Sequence, residues 1–289
     1  MICEIANAKL NLGLDVIGRR ADGYHELLSV MQSISLCDKL YAERVQDGTL
    51  SLDTGCALPA DDSNLIIRAA KAYFAALGES FGVAFKLEKN IPMQAGMGGG
   101  SADAAATLRA LERLGDKPLG ERALLEIAAK LGADVPFCLL GGTRLCRGIG
   151  EQMRPVANKL PPSVVVAMAG EGVSTPQAFG ALDHVCGDFS AAAAEAEVKF
   201  PALLAALEGG STQLFAASVY NRFECVIEPQ RPAVMQLKEQ LRACGAYAAR
   251  MSGSGPSVYG LFASGEDAAR AAAQLRDAGV CAFACEMLQ

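Results

Sequence analysis

The chain has 289 residues, 51% of them hydrophobic, and 30 glycines, enough for one large or two modest globular domains and unlike the polar make-up of disordered chains. Its net charge of −6 is spread without long runs, so no basic stripe is present to neutralise a nucleic-acid backbone or an anionic membrane surface. No nucleic-acid or membrane partner is expected, whereas an anionic small molecule stays open, because a few local donors and one helix N-terminus suffice to bind phosphate.

The opening segment MICEIANAKLNLGL carries Glu4, Asn7, Lys9 and Asn11 where a signal peptide would have to be apolar, and no apolar run approaches the roughly 20 residues of a membrane span. A cytoplasmic protein is expected. Residues 1–55 read as short strands: the alternating opening, a second strand in LDVIG, a polar turn in RRADG, then LLSVMQSISL and KLYAERV. Residues 64–77 have helical apolar spacing and end at Gly78, a natural C-cap. A strand follows in FGVAFKLEKNI, then a glycine-rich turn and a helix from about Ser101 to Leu114. Residues 121–131 predict a further helix stopped at Gly132, and GADVPFCLLGGTRLCRGIGE a turn leading into strands. Asn158-Lys159-Leu160-Pro161-Pro162 is the best linker, since paired prolines interrupt both helix and sheet. Beyond it SVVVAMA predicts a buried strand, PQAFGALDHV a short helix and AAAAEAEVKFPALLAAL one or two alanine-rich helices. The end reads helix (AVMQLKEQLRACGA), strand (YAARMSGSGPSVYGLFAS), helix (EDAARAAAQLRDAG), strand (VCAFACEML). With no repeat and no strict βαβ alternation, the pattern predicts an α+β fold in two domains, 1–157 and 158–289.

Ten cysteines are scattered, none in a C-x-x-C pair, and read as reduced core thiols. Two histidines, His25 and His184, are too few and too far from cysteine pairs for a structural zinc site.

The strongest chemical signal is Pro92-Met93-Gln94-Ala95-Gly96-Met97-Gly98-Gly99-Gly100-Ser101-Ala102-Asp103, leading into a helix. Glycines let backbone N–H groups converge on an anion without Cβ interference, and the helix adds its own unpaired N–H groups and dipole. Ser101 is placed to be the N-cap or to turn its hydroxyl onto a phosphate. A glycine-rich turn without a ligand is the plainer alternative. A Walker A loop is disfavoured because no G-K-[ST] ends the stretch, and G-x-G-x-x-G fails because Ser101 stands at the last glycine. Read alone, Asp134 is an N-cap or turn residue, Lys9 a strand lysine facing either solvent or a polar cleft, and Phe179 a core residue.

The block P-x-x-x-G-x-G-G-G-S-x-D resembles the central ATP loop of the GHMP kinases. Ala8-Lys9-Leu10-Asn11-Leu12 resembles that family's first motif, and Met251-Ser252-Gly253-Ser254-Gly255-Pro256-Ser257-Val258 its third, a turn supporting the phosphate loop. Lys9 to Leu12 running into Gly18-Arg19-Arg20-Ala21-Asp22-Gly23-Tyr24-His25-Glu26-Leu27, with Gly132-Ala133-Asp134-Val135-Pro136-Phe137, is similar to the diphosphocytidyl-methylerythritol kinases in particular. Departures are Met97 for a more usual leucine, Ala102 for a frequent second serine and Arg222 where Asp is common.

The resemblance implies a two-domain fold with the active site in the cleft between domains, ATP on residues 92–101 with Asn64 approaching the nucleotide, and Lys9 and Asp134 as a catalytic pair. It further implies that Tyr24 and Phe179 stack on a cytosine, that His25 bonds the base edge, and that Thr175 and Asn11 make polar contacts with the substrate. Magnesium is expected to arrive with ATP, without an all-protein cage, and the protein to be a monomer or weak homodimer. A GHMP kinase for mevalonate, homoserine or a sugar would not need Tyr24 and His25. A non-catalytic ligand-binding protein of the same fold would have discarded Lys9 or Asp134.

Overall fold

The computed structural model describes residues 1–55 and 58–289, and the chain is an α+β protein. β1 (Ile2–Arg19) and β2 (His25–Val45) are paired strands joined by a tight turn, in which Arg20 N–H donates to the Tyr24 carbonyl at 2.7 Å and Gly23 takes φ +89°. The polar positions that divide this region into short strands by pattern are instead buried within two long ones. Lys9, Asn11 and Asp15 of β1 and Ser29, Gln32, Ser33 and Asp38 of β2 are all buried. With no proline in either strand, nothing removes a ladder donor, and hydrogen-bonded polar groups are tolerated inside.

Two compact units are built from this framework. One gathers Met1–Ala8, Leu36–Met93 and Gly98–Leu140; the other gathers Lys9–Ser35, Gln94–Met97 and Gly141–Gln289.

The first unit continues with β3 (Leu50–Asp53), α1 (Leu65–Leu77), β4 (Gly82–Glu88), α2 (Gly99–Leu114), α3 (Glu121–Leu131) and α4 (Val135–Leu140). β2 pairs antiparallel with β4 over Lys39–Val45, and β4 pairs in parallel with β3. Asn64 caps α1, its Oδ1 accepting the Ile66 N–H at 2.9 Å, and Gly78 ends it at φ +76°. α2 begins two residues before the expected Ser101, because Gly98 at φ +69° turns the chain into the helix there. Ser101 is therefore the third helical residue and not the N-cap. The expected turn after Gly132 is in part a helix, α4, with Pro136 in its first turn, where a missing N–H costs nothing.

The second unit adds β5 (Thr143–Gly148), β6 (Gln152–Pro155), β7 (Ser163–Met168), α5 (Thr175–Cys186), α6 (Ser190–Gly209), α7 (Thr212–Ser218), α8 (Glu224–Ile227), α9 (Pro232–Ala243), β8 (Ala248–Met251), β9 (Ser257–Leu261), α10 (Gly265–Asp277) and β10 (Ala282–Glu286). β2 pairs with β5 over Leu27–Gln32, and β5 with β6. A second, antiparallel sheet runs β10-β7-β9-β8, with α9 against β8 and β9 and α10 against β7 and β10. The single strand expected over YAARMSGSGPSVYGLFAS is a hairpin of β8 and β9, since Gly253 and Gly255 at φ +58° and +84° reverse the chain. α6 is one helix that carries Pro201 in its interior. The 158–162 segment is irregular, but Asn158 within it is buried and donates to Gln32 Oε1 at 2.9 Å.

The expectation of core thiols needs correction. Of the nine cysteines among the described residues only Cys146 and Cys285 are buried, and Cys3, Cys225 and Cys281 are exposed; Cys56 lies outside the described residues.

Arg222 has a specific partner in the second unit. Asp15, fully buried on β1, receives Arg222 Nε at 2.7 Å and Nη2 at 3.0 Å, and Tyr220 Oη at 2.5 Å, while Arg222 also reaches Glu195 at 2.6 Å. A buried carboxylate stripped of its cation is left uncompensated. Arg222→Met should therefore cost about 3–5 kcal/mol in chemical denaturation, and a loss below about 1 kcal/mol would show that Asp15 does not depend on this pair.

Candidate active site

The glycine-rich loop is held by backbone contact. Within the second unit, Gln94–Met97 rests on the turn between β8 and β9: the Ala95 carbonyl accepts the Ser257 hydroxyl at 2.5 Å, and the Gly96 carbonyl the Ser252 hydroxyl at 3.3 Å. A Cβ at Gly96 would stand 2.4 Å from the Ser252 carbonyl oxygen, and one at Gly253 would stand 3.0 Å from the Gly96 carbonyl oxygen. Asn221 holds the turn from below, its Nδ2 donating to the carbonyls of Met251 and Gly253 at 2.8 Å each. Ser257 belongs to the third motif, whereas Asn221 is not singled out by the sequence as a site residue, because a buried amide that supports a turn has no pattern of its own.

Lys9 and Asn11 belong to the same seat. The Lys9 N–H donates to the Met97 carbonyl at 2.9 Å, and its side chain, 4% exposed, donates from Nζ to Asn11 Oδ1 at 2.8 Å. Asn11 passes the chain on, Nδ2 donating to Ser29 Oγ at 2.8 Å and its own N–H to Ser252 Oγ at 3.3 Å. Alternation points Lys9 and Asn11 to one face of β1. Lys9 does not face solvent: it is buried and bonds Asn11.

The first unit holds Pro92, Met93, Gly98, Gly99, Gly100, Ser101, Asn64 and Asp134. Asn64 is occupied as the α1 cap, with Nδ2 also donating to the Pro59 carbonyl at 2.7 Å. Asp134 directly precedes α4, half-buried, and its carbonyl accepts the Cys138 N–H at 3.0 Å. Beside the loop lies a charged cluster that sequence reading passes over. Lys89 Nζ stands 2.5 Å from Asp38 Oδ2 and 2.6 Å from Asp103 Oδ2, with both carboxylates buried. Burial raises the Asp103 carboxyl to about 7 against the pull of Lys89. Burial alone would lower the Lys89 ammonium, but the Asp103 and Asp38 charges outweigh it and the net shift is upward.

Of the residues expected to contact substrate, Thr175 and Phe179 lie on α5 and His25 of β2 packs against it, whereas Asn11 is on β1. Phe179 stacks on His25 with centroids 4.5 Å apart and planes at 19°, and Asp183 Oδ1 accepts the His25 Nε2 proton at 2.6 Å. Asp183 is one helical turn beyond Phe179 on the same face; only the fold reveals it as the partner of His25. Phe179 is also edge-on to Phe223 and partly buried in the core, so the plain core reading describes one side of its ring. Tyr24 is apart from this stack, 62% exposed on the β1–β2 turn. Thr175 faces a cavity of about 480 Å³, where Gln94 and Gly96 of the loop, Ser254 and Arg231 also lie. Its Oγ1 is 3.0 Å from Ser254 Oγ.

The chain is similar to known proteins along nearly its whole length. The chain matches the model of the GHMP kinases N terminal domain over residues 64–142 and that of the GHMP kinases C terminal over 203–281. A curated relative from Pelotomaculum thermopropionicum, named 4-diphosphocytidyl-2-C-methyl-D-erythritol kinase, is 41% identical over 277 residues, 96% of this chain and 94% of its own length. One of the same name from Desulfitobacterium hafniense is 40% identical over 273 residues, 94% and 91% of the two chains. A crystal structure of 4-(cytidine 5'-diphospho)-2C-methyl-D-erythritol kinase superposes over the whole of both chains with a TM-score of 0.83 at 37% identity.

The Asp103 shift fixes the sign of a stability change. Its folded-state value, about 7, lies above the ordinary 3.8, so its contribution is fully present below about 4 and is lost as pH rises through about 7. The melting temperature of the wild type minus that of Asp103→Asn should fall between pH 4 and 8. A difference that is flat or rises across that window contradicts the assignment.

Proposed function

The chain belongs to the GHMP kinases, and from that premise we propose that it transfers the γ-phosphoryl group of ATP to a hydroxyl of 4-diphosphocytidyl-2-C-methyl-D-erythritol, a step in isoprenoid precursor biosynthesis. The observation that carries the reading is the face of α5. Thr175, Phe179 and Asp183 follow at intervals of four, so one helix face runs from the cavity shared with Gln94 and Gly96 to the His25 stack. That face extends about 12 Å at 1.5 Å per residue, a length suited to a ligand with a base at one end and a reacting hydroxyl at the other.

The roles follow from the chemistry. The loop 92–101 cradles the ATP phosphates with its N–H groups, and Asn64 shapes the nucleotide side through the start of α1. Lys9, oriented by Asn11, neutralises charge on the transferred group, and Asp134 takes or orients the hydroxyl proton. Asn11 thus serves the substrate through Lys9. Tyr24 and Phe179 offer aromatic faces to the cytosine. With its Nε2 held by Asp183, His25 presents its Nδ1 edge to the base. Thr175 supplies a polar contact beside the loop.

Magnesium enters as the ion that ATP brings. Among the described residues no group of three or more His, Cys, Asp or Glu side chains gathers to hold a metal. The ion, held chiefly by phosphate oxygens and water, would neutralise charge between the phosphates when bound. No helix among the described residues is long and apolar enough to cross a membrane.

The deciding experiment is ADP release against a panel of alcohols. The diphosphocytidyl compound should be phosphorylated far more efficiently than methylerythritol phosphate, mevalonate or homoserine, and equal efficiency for any of these would overturn the substrate assignment. Tyr24→Ala should raise the KM of the cytidine substrate by about 5- to 150-fold, the equivalent of roughly 1–3 kcal/mol of stacking, and leave the KM of ATP unchanged. Asp183→Ala should raise the same KM by about 10-fold, since His25 then loses a hydrogen bond to a charged partner worth roughly 1.5 kcal/mol. An unchanged value would detach Asp183 from substrate recognition.

A further inference from the structure

The glycine-rich loop begins at the end of β4 and returns to the first unit at the start of α2, and both of these places meet at one buried point. Asp38 Oδ1, on β2, accepts the N–H groups of Asn90 at 2.6 Å and Ile91 at 2.8 Å, the last residues before the loop. Asp38 Oδ2 takes Lys89 Nζ at 2.5 Å, and the same ammonium reaches Asp103 Oδ2 at 2.6 Å, just beyond the loop. Gly99 packs on this ammonium, since a Cβ there would lie 3.1 Å from Lys89 Nζ and 3.1 Å from Ile91 Cγ2.

The composition of the cluster is wasteful for stability alone. Two buried carboxylates share one ammonium, and Asp103 Oδ1 is buried with no hydrogen-bond partner among the described residues. Well-packed apolar side chains would fill this space at least as stably. What directed charged bonds add is geometry: they tie β2, the end of β4 and the start of α2 in one register. Closing a flexible loop costs entropy, and a tie at its ends meets that cost before a ligand arrives.

We propose that Asp38, Lys89 and Asp103 are positioning residues, a buried clamp that holds the entry and exit of the glycine-rich loop in the geometry required for nucleotide binding. None of the three is assigned a contact with substrate, and their effect passes through the backbone of residues 90–91 and 99–103. The proposal rests on the reading of residues 92–101 as the ATP loop.

The test uses the full chain as wild type, Lys89→Met, Asp103→Ala and Asp103→Asn. It measures the Kd of a non-hydrolysable ATP analogue with magnesium, the KM of each substrate, and amide hydrogen exchange over residues 89–103 with and without the analogue. Lys89→Met and Asp103→Ala should raise the analogue's Kd and the KM of ATP by about 10- to 100-fold, the scale of a displaced binding geometry. The alcohol substrate's KM should stay within about 2-fold, and loop exchange without nucleotide should accelerate, because the tie no longer bears on the loop. Asp103→Asn keeps the shape and an acceptor for Lys89 and should restore the Kd to within about 3-fold of wild type. If Lys89→Met does not fold, Asp103→Ala and Asp103→Asn decide the matter between them. Variants that lose thermal stability but keep the wild-type Kd and loop exchange overturn the positioning role. A wild type whose loop gains no protection from the analogue overturns both the ATP-loop reading and the clamp. Failure of the clamp alone leaves that protection intact and equal in all four proteins.

Discussion

Where Gly96 passes the Ser252 carbonyl oxygen, a side chain would need its β-carbon 2.4 Å from that oxygen, closer than any real contact permits, and at Gly253 it would face the Gly96 carbonyl at 3.0 Å. Two backbones can run this close only where both lack a Cβ. The close approach lets Ser252 and Ser257 fasten the loop through its carbonyls. The same approach brings the Lys9 N–H onto the Met97 carbonyl, so the lysine and the loop are placed by one set of bonds.

Burial then governs what the charged groups of the second unit can do. Lys9 is almost wholly enclosed and hydrogen-bonds Asn11, which is held in turn by Ser29. Hydrogen bonding of this kind is what lets a buried cation be tolerated. Asp15 and Arg222 show the same economy in a structural role: the bidentate pair tolerates a fully buried carboxylate and joins β1 to the segment before α8.

α5 carries Thr175, Phe179 and Asp183 on one surface. Its first residue, Thr175, faces the cavity by the glycine loop, and its third turn carries Asp183 against His25. Helical periodicity converts a spacing of four into a continuous face, so a change that rotates α5 would disturb both ends at once. Fold alone would not select the substrate, since one architecture hosts many chemistries. The aromatic and carboxylate groups on this face are what argue for a base.

The sequence by itself determined most of what depends on local rules. Gly78 and Gly132 punctuate α1 and α3, the apolar run of β7 marks a buried strand, and the glycines between Gly96 and Gly100 mark the turn into α2. These features follow from propensity and spacing within a short window. Local pattern misdivided β1 and β2, because their polar residues are satisfied by partners far along the chain: Asn11 by Ser29 and Ser252, Asp38 by Lys89 and the Asn90 and Ile91 N–H groups. It also placed Ser101 at a cap that Gly98 occupies, since the left-handed turn at Gly98 is a property of the backbone that several glycines in a row leave open. Asp183, Asn221 and the Asp38–Lys89–Asp103 cluster were decided only by tertiary structure. Each meets a partner between 14 and 158 residues away, as in Lys89 with Asp103 and His25 with Asp183, and a one-dimensional pattern carries no distance between such residues.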